Sequence, residues 1–284
     1  MVHDIFLRYP NGRKKAFTLS YDDGTEFDKP LVEMFNKYNV KGTFNLNSQR
    51  IINVDKGIAN PSHRKRLSSK ELKELFDGTE HEIAVHTASH PSLIAIPQAT
   101  VAREIIEDRN NLEKIFGRII RGMAYPNGSW AVDDDVIKAC EVSGIAYSRG
   151  STPTHSFNLP MTGLLHYQPT CHHNDPKIFD LIEEFLNIKT KRFPSLFYVY
   201  GHSYEFDENN NWDQMEKILS KIANRDDIWY ATNIEIFDYV SAFKQLQYSV
   251  DMEYVHNPTA TTLWFSYDYD NIYEIKPGET IKIS

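Results

Sequence analysis

Thr18-Leu19-Ser20-Tyr21-Asp22-Asp23-Gly24 sets two adjacent carboxylates at the end of an apolar strand, immediately before a glycine. Successive side chains of a strand point to opposite faces, so such a pair can divide its work between holding a cation and acting on a substrate. An Asp-Gly dipeptide also suits an ordinary solvated turn, and this stretch alone leaves that reading open.

A second segment has complementary chemistry. Glu82-Ile83-Ala84-Val85-His86 reads as another buried strand ending in histidine, and Thr87-Ala88-Ser89-His90 brings a second imidazole four residues later. Imidazole and carboxylate suit zinc and its borderline neighbours, and three protein ligands leave a position open for water or substrate. A His-x-x-x-His spacing is weak alone in a chain with 11 histidines. Its value lies in its placement after a strand, like the aspartate pair.

Together, TLSYDDG and HTASH resemble the polysaccharide deacetylase family, also called the NodB-homology or carbohydrate esterase family 4 domain, over about residues 14 to 240. The resemblance implies a distorted (β/α) barrel of seven or eight parallel strands. It implies Asp22 as general base, Asp23, His86 and His90 as ligands of one divalent metal ion, and His202, closing Phe197-Tyr198-Val199-Tyr200-Gly201-His202, as general acid. Zn2+ fits that ligand set, with Co2+ or Ni2+ as alternatives. Amide hydrolysis needs an activated water, a polarised carbonyl and a proton for the departing nitrogen, and these residue types supply all three. The implied activity is removal of N-acetyl groups from an N-acetylated carbohydrate. A non-sugar linear or cyclic amide is the second reading, and a disabled carbohydrate-binding scaffold the third.

Two departures from the family pattern bear on the pocket. The third motif, Arg-x-Pro-Tyr in the family, is here Ala124-Tyr125-Pro126-Asn127-Gly128, with alanine at the arginine position. Tyr125, Pro126 and Asn127 are the expected substrate-binding residues. Arg149, at the exit of the next strand, is a better candidate than Arg121 to orient Asp22, because a guanidinium can hold a carboxylate bidentately. The aspartate-plus-tryptophan motif expected before the late histidine has no counterpart. His172-His173 resemble a second metal site but lack a spaced partner, His63 reads as a solvated loop residue, and Tyr204 and Glu205 stand where they could tune His202.

Strands are expected at residues 16–21, 42–46, 82–86, 119–125, 145–148, 165–168, 195–201 and 228–232. Helices alternate with them near 28–39, 69–77, 98–116, 132–143, 176–188, 212–223 and 234–246. Each chemical motif falls at a strand's C-terminal end, the face on which a parallel barrel gathers its active site. The pattern divides the chain into a catalytic barrel over 1–246 and a small antiparallel β appendage over 247–284. The appendage aromatics Trp264, Phe265, Tyr267, Tyr269 and Tyr273 suit either sugar stacking or packing against the barrel.

A net charge of −8 argues against nucleic acid and anionic membrane surfaces as partners. No apolar run approaches the roughly 20 residues of a membrane span. The N-terminal stretch lacks a signal-peptide pattern, and Cys140 and Cys171 read as two reduced, non-catalytic thiols, so a cytoplasmic location is expected. Oligomeric state is left open by the sequence.

Overall fold

The computed structural model describes residues 4–58, 64–269 and 271–283. His63 lies outside them. Strands β1 (Ile5–Arg8), β2 (Lys15–Asp22), β3 (Thr43–Leu46), β4 (Glu82–Val85), β5 (Gly122–Ala124), β6 (Tyr147–Arg149), β7 (Cys171–His172), β8 (Ser195–His202) and β9 (Ile228–Tyr230) lead in chain order. All but β1 form one parallel sheet in the order β6-β5-β4-β3-β2-β8-β7, with β9 beside β2. This is the distorted (β/α) barrel expected from the alternation of apolar runs and helical patterns. Its long central pair, β2 and β8, runs in register from Lys15 opposite Ser195 to Asp22 opposite His202. That register alone brings together the two strand-end motifs most distant in sequence.

Helices α1 (Asp28–Lys37), α2 (Ser48–Asp55), α3 (Ser69–Phe76), α4 (Gln98–Phe116), α5 (Asp134–Val142), α6 (Ile178–Asn187), α7 (Tyr204–Glu208), α8 (Trp212–Ile222) and α9 (Asn233–Phe243) fill the connections. Local chemistry sets several of their ends. Ser68 with Glu71 and Thr232 with Glu235 form capping boxes at α3 and α9, and α4 stops at Gly117 in the left-handed region. The buried face of β2 (Phe17, Leu19, Tyr21) packs with Phe35, Phe44, Phe197 and Phe206 into the main core. Removing such rings from water supplies the main driving force for the barrel.

One expected strand does not form. Leu164–His166 is a 3₁₀ turn, Tyr167 makes only an isolated bridge to Arg149, and the ladder beside β8 is β7 at Cys171–His172. Pro169 explains the delay, since it has no N–H to donate to a ladder. α2 and α7 were not expected from periodicity.

The C-terminal segment forms β10 (Gln247–Tyr248), β11 (Tyr254–His256), β12 (Leu263–Tyr267), β13 (Asn271–Ile275) and β14 (Thr280–Lys282), all in antiparallel pairs. They make two three-stranded sheets, β10-β11-β14 and the layer β1-β12-β13, the N-terminal β1 pairing Ile5 with Tyr267 through Arg8 with Trp264. Phe265 and Tyr267 are buried, Phe265 stacks on Tyr273 at 5.5 Å, and Tyr269 stacks on Phe6 at 5.6 Å. These rings pack the layer. Cys140 and Cys171 are buried free thiols, and among the described residues no helix is long and apolar enough to cross a membrane.

Candidate active site

Asp22 ends β2 and is 5% exposed. Asn45, its neighbour on β3, donates from Nδ2 to Asp22 Oδ1 at 2.8 Å and to Ser20 Oγ at 2.9 Å. Arg149 Nη2 lies 2.5 Å from Asp22 Oδ1 and 2.6 Å from Oδ2, while its Nε donates to Ser20 Oγ at 3.1 Å. A single nitrogen thus bridges both carboxylate oxygens, and the guanidinium lies over the Tyr200 ring at 4.9 Å. Burial pushes the Asp22 carboxyl upward, but the charge of Arg149, helped by His86 and His202, holds it below its ordinary range. Arg121 is elsewhere, paired with Asp238 at 2.6 Å.

Asp23 adopts φ +86, a left-handed conformation unusual for a non-glycine residue, and Thr87, His90 and Asn127 also have positive φ at 64, 64 and 61. Such backbone strain tends to collect at functional sites. Asp23, His86 and His90 each offer a donor atom, and these atoms lie within 4.8 Å of one another. His90 Nε2 is 3.9 Å from Asp23 Oδ1, and the two imidazoles meet edge to face at 4.9 Å.

The set fits a divalent ion on two further counts. Asp23 Oδ1 is buried without a hydrogen-bond partner. His86 donates from Nδ1 to the Ala124 carbonyl at 2.8 Å, so its Nε2 keeps a free lone pair. Burial pushes the His90 pKa down to about 4, with His86 beside it adding to the effect, and burial also lowers His86. Both rings are therefore in the neutral form that coordinates metals. Asp108 of α4 fixes this loop by accepting from the backbone N–H of His86 at 2.9 Å and of Ser48 at 2.6 Å.

His202, the last residue of β8, faces Asp22 from the other side, with Nε2 3.9 Å from Oδ2. Its Nδ1 meets Glu205 Oε1 at 3.1 Å. Burial opposes the charged ring, yet Glu205, Asp22 and Asp23 outweigh it, and the His202 pKa is raised.

Glu205 is also the partner that the tandem histidines lacked in the sequence. Its Oε2 lies 3.0 Å from Nε2 of both His172 and His173, which β7 delivers beside β8. By donor type these three could hold an ion. The Asn174 N–H, however, donates to His172 Nδ1 at 3.1 Å, which puts the His172 proton on Nε2, facing Glu205. His173 Nε2 and Glu205 Oε2 are buried without a hydrogen-bond partner, so in this trio only His172 is turned away from the role of ligand.

A cavity of about 540 Å³ opens over these groups, lined by Asp22, Asp23, His86, His90, Arg149 and His202 among others. Tyr125 and Asn127 line it as expected, the Tyr125 hydroxyl donating to the Leu165 carbonyl at 2.5 Å. Pro126 is buried and is not among the residues lining the cavity. Arg50, Arg64 and Arg66 also line the cavity, and the sequence reading missed all three.

The sequence model of the family described as polysaccharide deacetylase matches residues 9–148, a span that holds Asp22, Asp23, His86 and His90 but ends before Arg149 and His202. No curated protein matches the chain. Among solved structures, a mutant of a carbohydrate esterase family 4 pseudoenzyme with restored enzymatic activity superposes with TM-score 0.51 at 17% identity. That match covers 82% of this chain and 70% of that one, and the wild-type protein comes from Bacillus anthracis. A family 4 acetyl xylan esterase from Clostridium thermocellum, solved with a cobalt ion, superposes with TM-score 0.50 at 15% identity, covering 78% of this chain and 90% of that one. At such identities the likeness is one of fold.

Proposed function

Residues 9–148 carry the polysaccharide deacetylase signature on a family 4 barrel, and from that premise we propose that the chain is a metal-dependent hydrolase removing N-acetyl groups from an N-acetylated sugar or polysaccharide. The observation that carries this reading is the division of the aspartate pair. Asp23 turns toward two neutral imidazoles, while Asp22 is gripped by Arg149 and left between them and His202.

Asp23, His86 and His90 would hold one divalent ion, for which zinc is the best match and cobalt or nickel are compatible. When bound, the ion supplies Lewis-acid polarisation of the acetyl carbonyl and eases ionisation of water. The chain's own residues do the rest. Asp22 takes the proton of the attacking water, and Arg149 keeps the carboxylate oriented and ionised for that role. His202 lies on the opposite side with Nδ1 committed to Glu205, which leaves Nε2 to give a proton to the departing amine nitrogen. Tyr125 and Asn127 shape the wall against which the sugar lies.

The test is acetate release from N-acetylglucosamine oligomers, with and without chelator. Release that stops with chelator, and stops in Asp22→Asn at unchanged metal content, supports the proposal. Turnover of a non-sugar amide in place of the oligomers would move the reaction to the second substrate class. Tight sugar binding with no turnover by metal-loaded wild type would instead make the chain a binding protein on an enzyme scaffold.

A further inference from the structure

The chain as a whole carries a net charge of −8, but the cavity wall reverses that sign. Four guanidinium groups line it, Arg50, Arg64, Arg66 and Arg149, against two carboxylates, Asp22 and Asp23. Three of the four have partners within the protein: Arg149, Arg66 and Arg64, the last holding Glu208 through Nε at 2.8 Å and Nη2 at 3.3 Å. Arg149, 1% exposed, belongs to Asp22. Arg66, 3% exposed, donates from Nη1 to the Asp23 carbonyl and lies 3.4 Å from its carboxylate, held in place by the bridge between Thr25 and the Arg66 backbone.

Arg50 and Arg64 stand on the open side, with side chains 29% and 28% exposed. Arg50 projects from α2, its guanidinium meets Asp23 Oδ1 only at 3.5 Å, and that side chain makes no hydrogen bond among the described residues. Arg64 lies 3.6 Å over the face of Tyr204, which lines the same cavity, with Nε on Glu208 at 2.8 Å. An ion held by Asp23, His86 and His90 would add to this positive field. A guanidinium with unused side-chain donors on a wall shared with other guanidiniums is a ready receptor for an oxyanion, whereas a neutral acetylated sugar offers it only uncharged hydroxyl and carbonyl acceptors.

We propose that the substrate is an acidic N-acetylated sugar, whose carboxylate or phosphate substituent is bound by Arg50 and Arg64 at the cavity mouth while its acetamide lies over Asp22. This rests on the deacetylase reading for the acetamide but not for the anion. Field focusing in a positively lined cleft would also speed capture of such a substrate.

The experiment measures calorimetric binding to full-length, metal-loaded Asp22→Asn protein of three probes that differ only at C6: N-acetylglucosamine, its 6-carboxylate (the uronic acid) and its 6-phosphate. An anionic probe should bind roughly tenfold tighter than the neutral one, with the advantage shrinking as salt rises. Whichever probe shows it names the anion. Adding Arg50→Gln should abolish the advantage, and Arg50→Lys, which keeps the charge, should retain part of it; Arg64→Gln repeats the test should either Arg50 variant fail to fold. Equal affinity for all three probes, or an advantage untouched by Arg50→Gln, overturns the proposal. Failure of the deacetylase reading looks different: anionic probes still bind preferentially, but wild type releases no acetate from any of them.

Discussion

Replacing Glu205 by glutamine isolates the group that sets the proton inventory of His202. Glu205 Oε1 lies 3.1 Å from His202 Nδ1, and the two side chains are 22% and 26% exposed, so solvent screens the pair only in part. A hydrogen bond to a charged partner contributes about 1.5–3 kcal/mol, and 1.36 kcal/mol corresponds to one pKa unit, so loss of the carboxylate charge lowers the His202 pKa by about 1–2 units. Glu205 also faces His172 and His173, so its charge is shared and the lower end, about one unit, is the expected shift. The sign follows from the role. A general acid must be protonated, His202 is raised above its ordinary 6.5, and kcat/KM is therefore full below that raised pKa and falls as pH rises through it. In Glu205→Gln the alkaline limb should move about one unit toward lower pH while the acid limb stays in place. The assay is acetate release across pH 5 to 9 (roughly spanning the ordinary His range) at matched metal content. An alkaline limb that coincides with wild type would refute the assignment of Glu205 as the residue that holds the His202 proton.

Arg149→Met leaves the Asp22 carboxylate buried without its cation, a loss of about 3–5 kcal/mol of stability, and calorimetry should show Tm falling by about 10 °C; a fall under about 2 °C would contradict the pairing. His90→Ala removes one of three candidate ligands, and elemental analysis after dialysis should find zinc per chain reduced at least about tenfold, whereas undiminished zinc would exclude this site as its holder. His81 is buried, accepts from the Gly42 N–H at 3.0 Å and faces Asn36 Oδ1 at 3.1 Å, and burial pushes its pKa down to about 4. The folded state thus holds His81 neutral where the unfolded chain protonates it, so this contribution is complete above about pH 6.5 and disappears as pH falls toward 4. The loss amounts to about 3 kcal/mol. Denaturant melts at pH 7 and 5 should show a smaller acid loss in His81→Gln than in wild type.

The parts of this molecule that the sequence disclosed are those governed by short-range periodicity. The exits of β2, β4 and β8 end apolar runs, and from them the placement of Asp22, His86 and His202 on one face of the barrel follows directly. Arg149 was legible for the same reason, standing at the end of β6. Groups carried by tertiary contact were not. α2 is a short segment whose first backbone N–H groups are taken by Asp108 and by the Ala88 carbonyl, partners well along the chain, and Arg50 was hidden with it. Arg66 owes its position to a backbone bridge with Thr25, not to any pattern in its own neighbourhood. His172 and His173 acquire meaning only when β7 pairs with β8 and brings them to Glu205. Strands therefore announce the groups proposed for the chemistry, while the arginines proposed to recognise an anion sit on a short helix and a loop, whose side chains are aimed by the remote segments they pack against. The charge of the cavity could not be read from the charge of the chain, and the two have opposite signs.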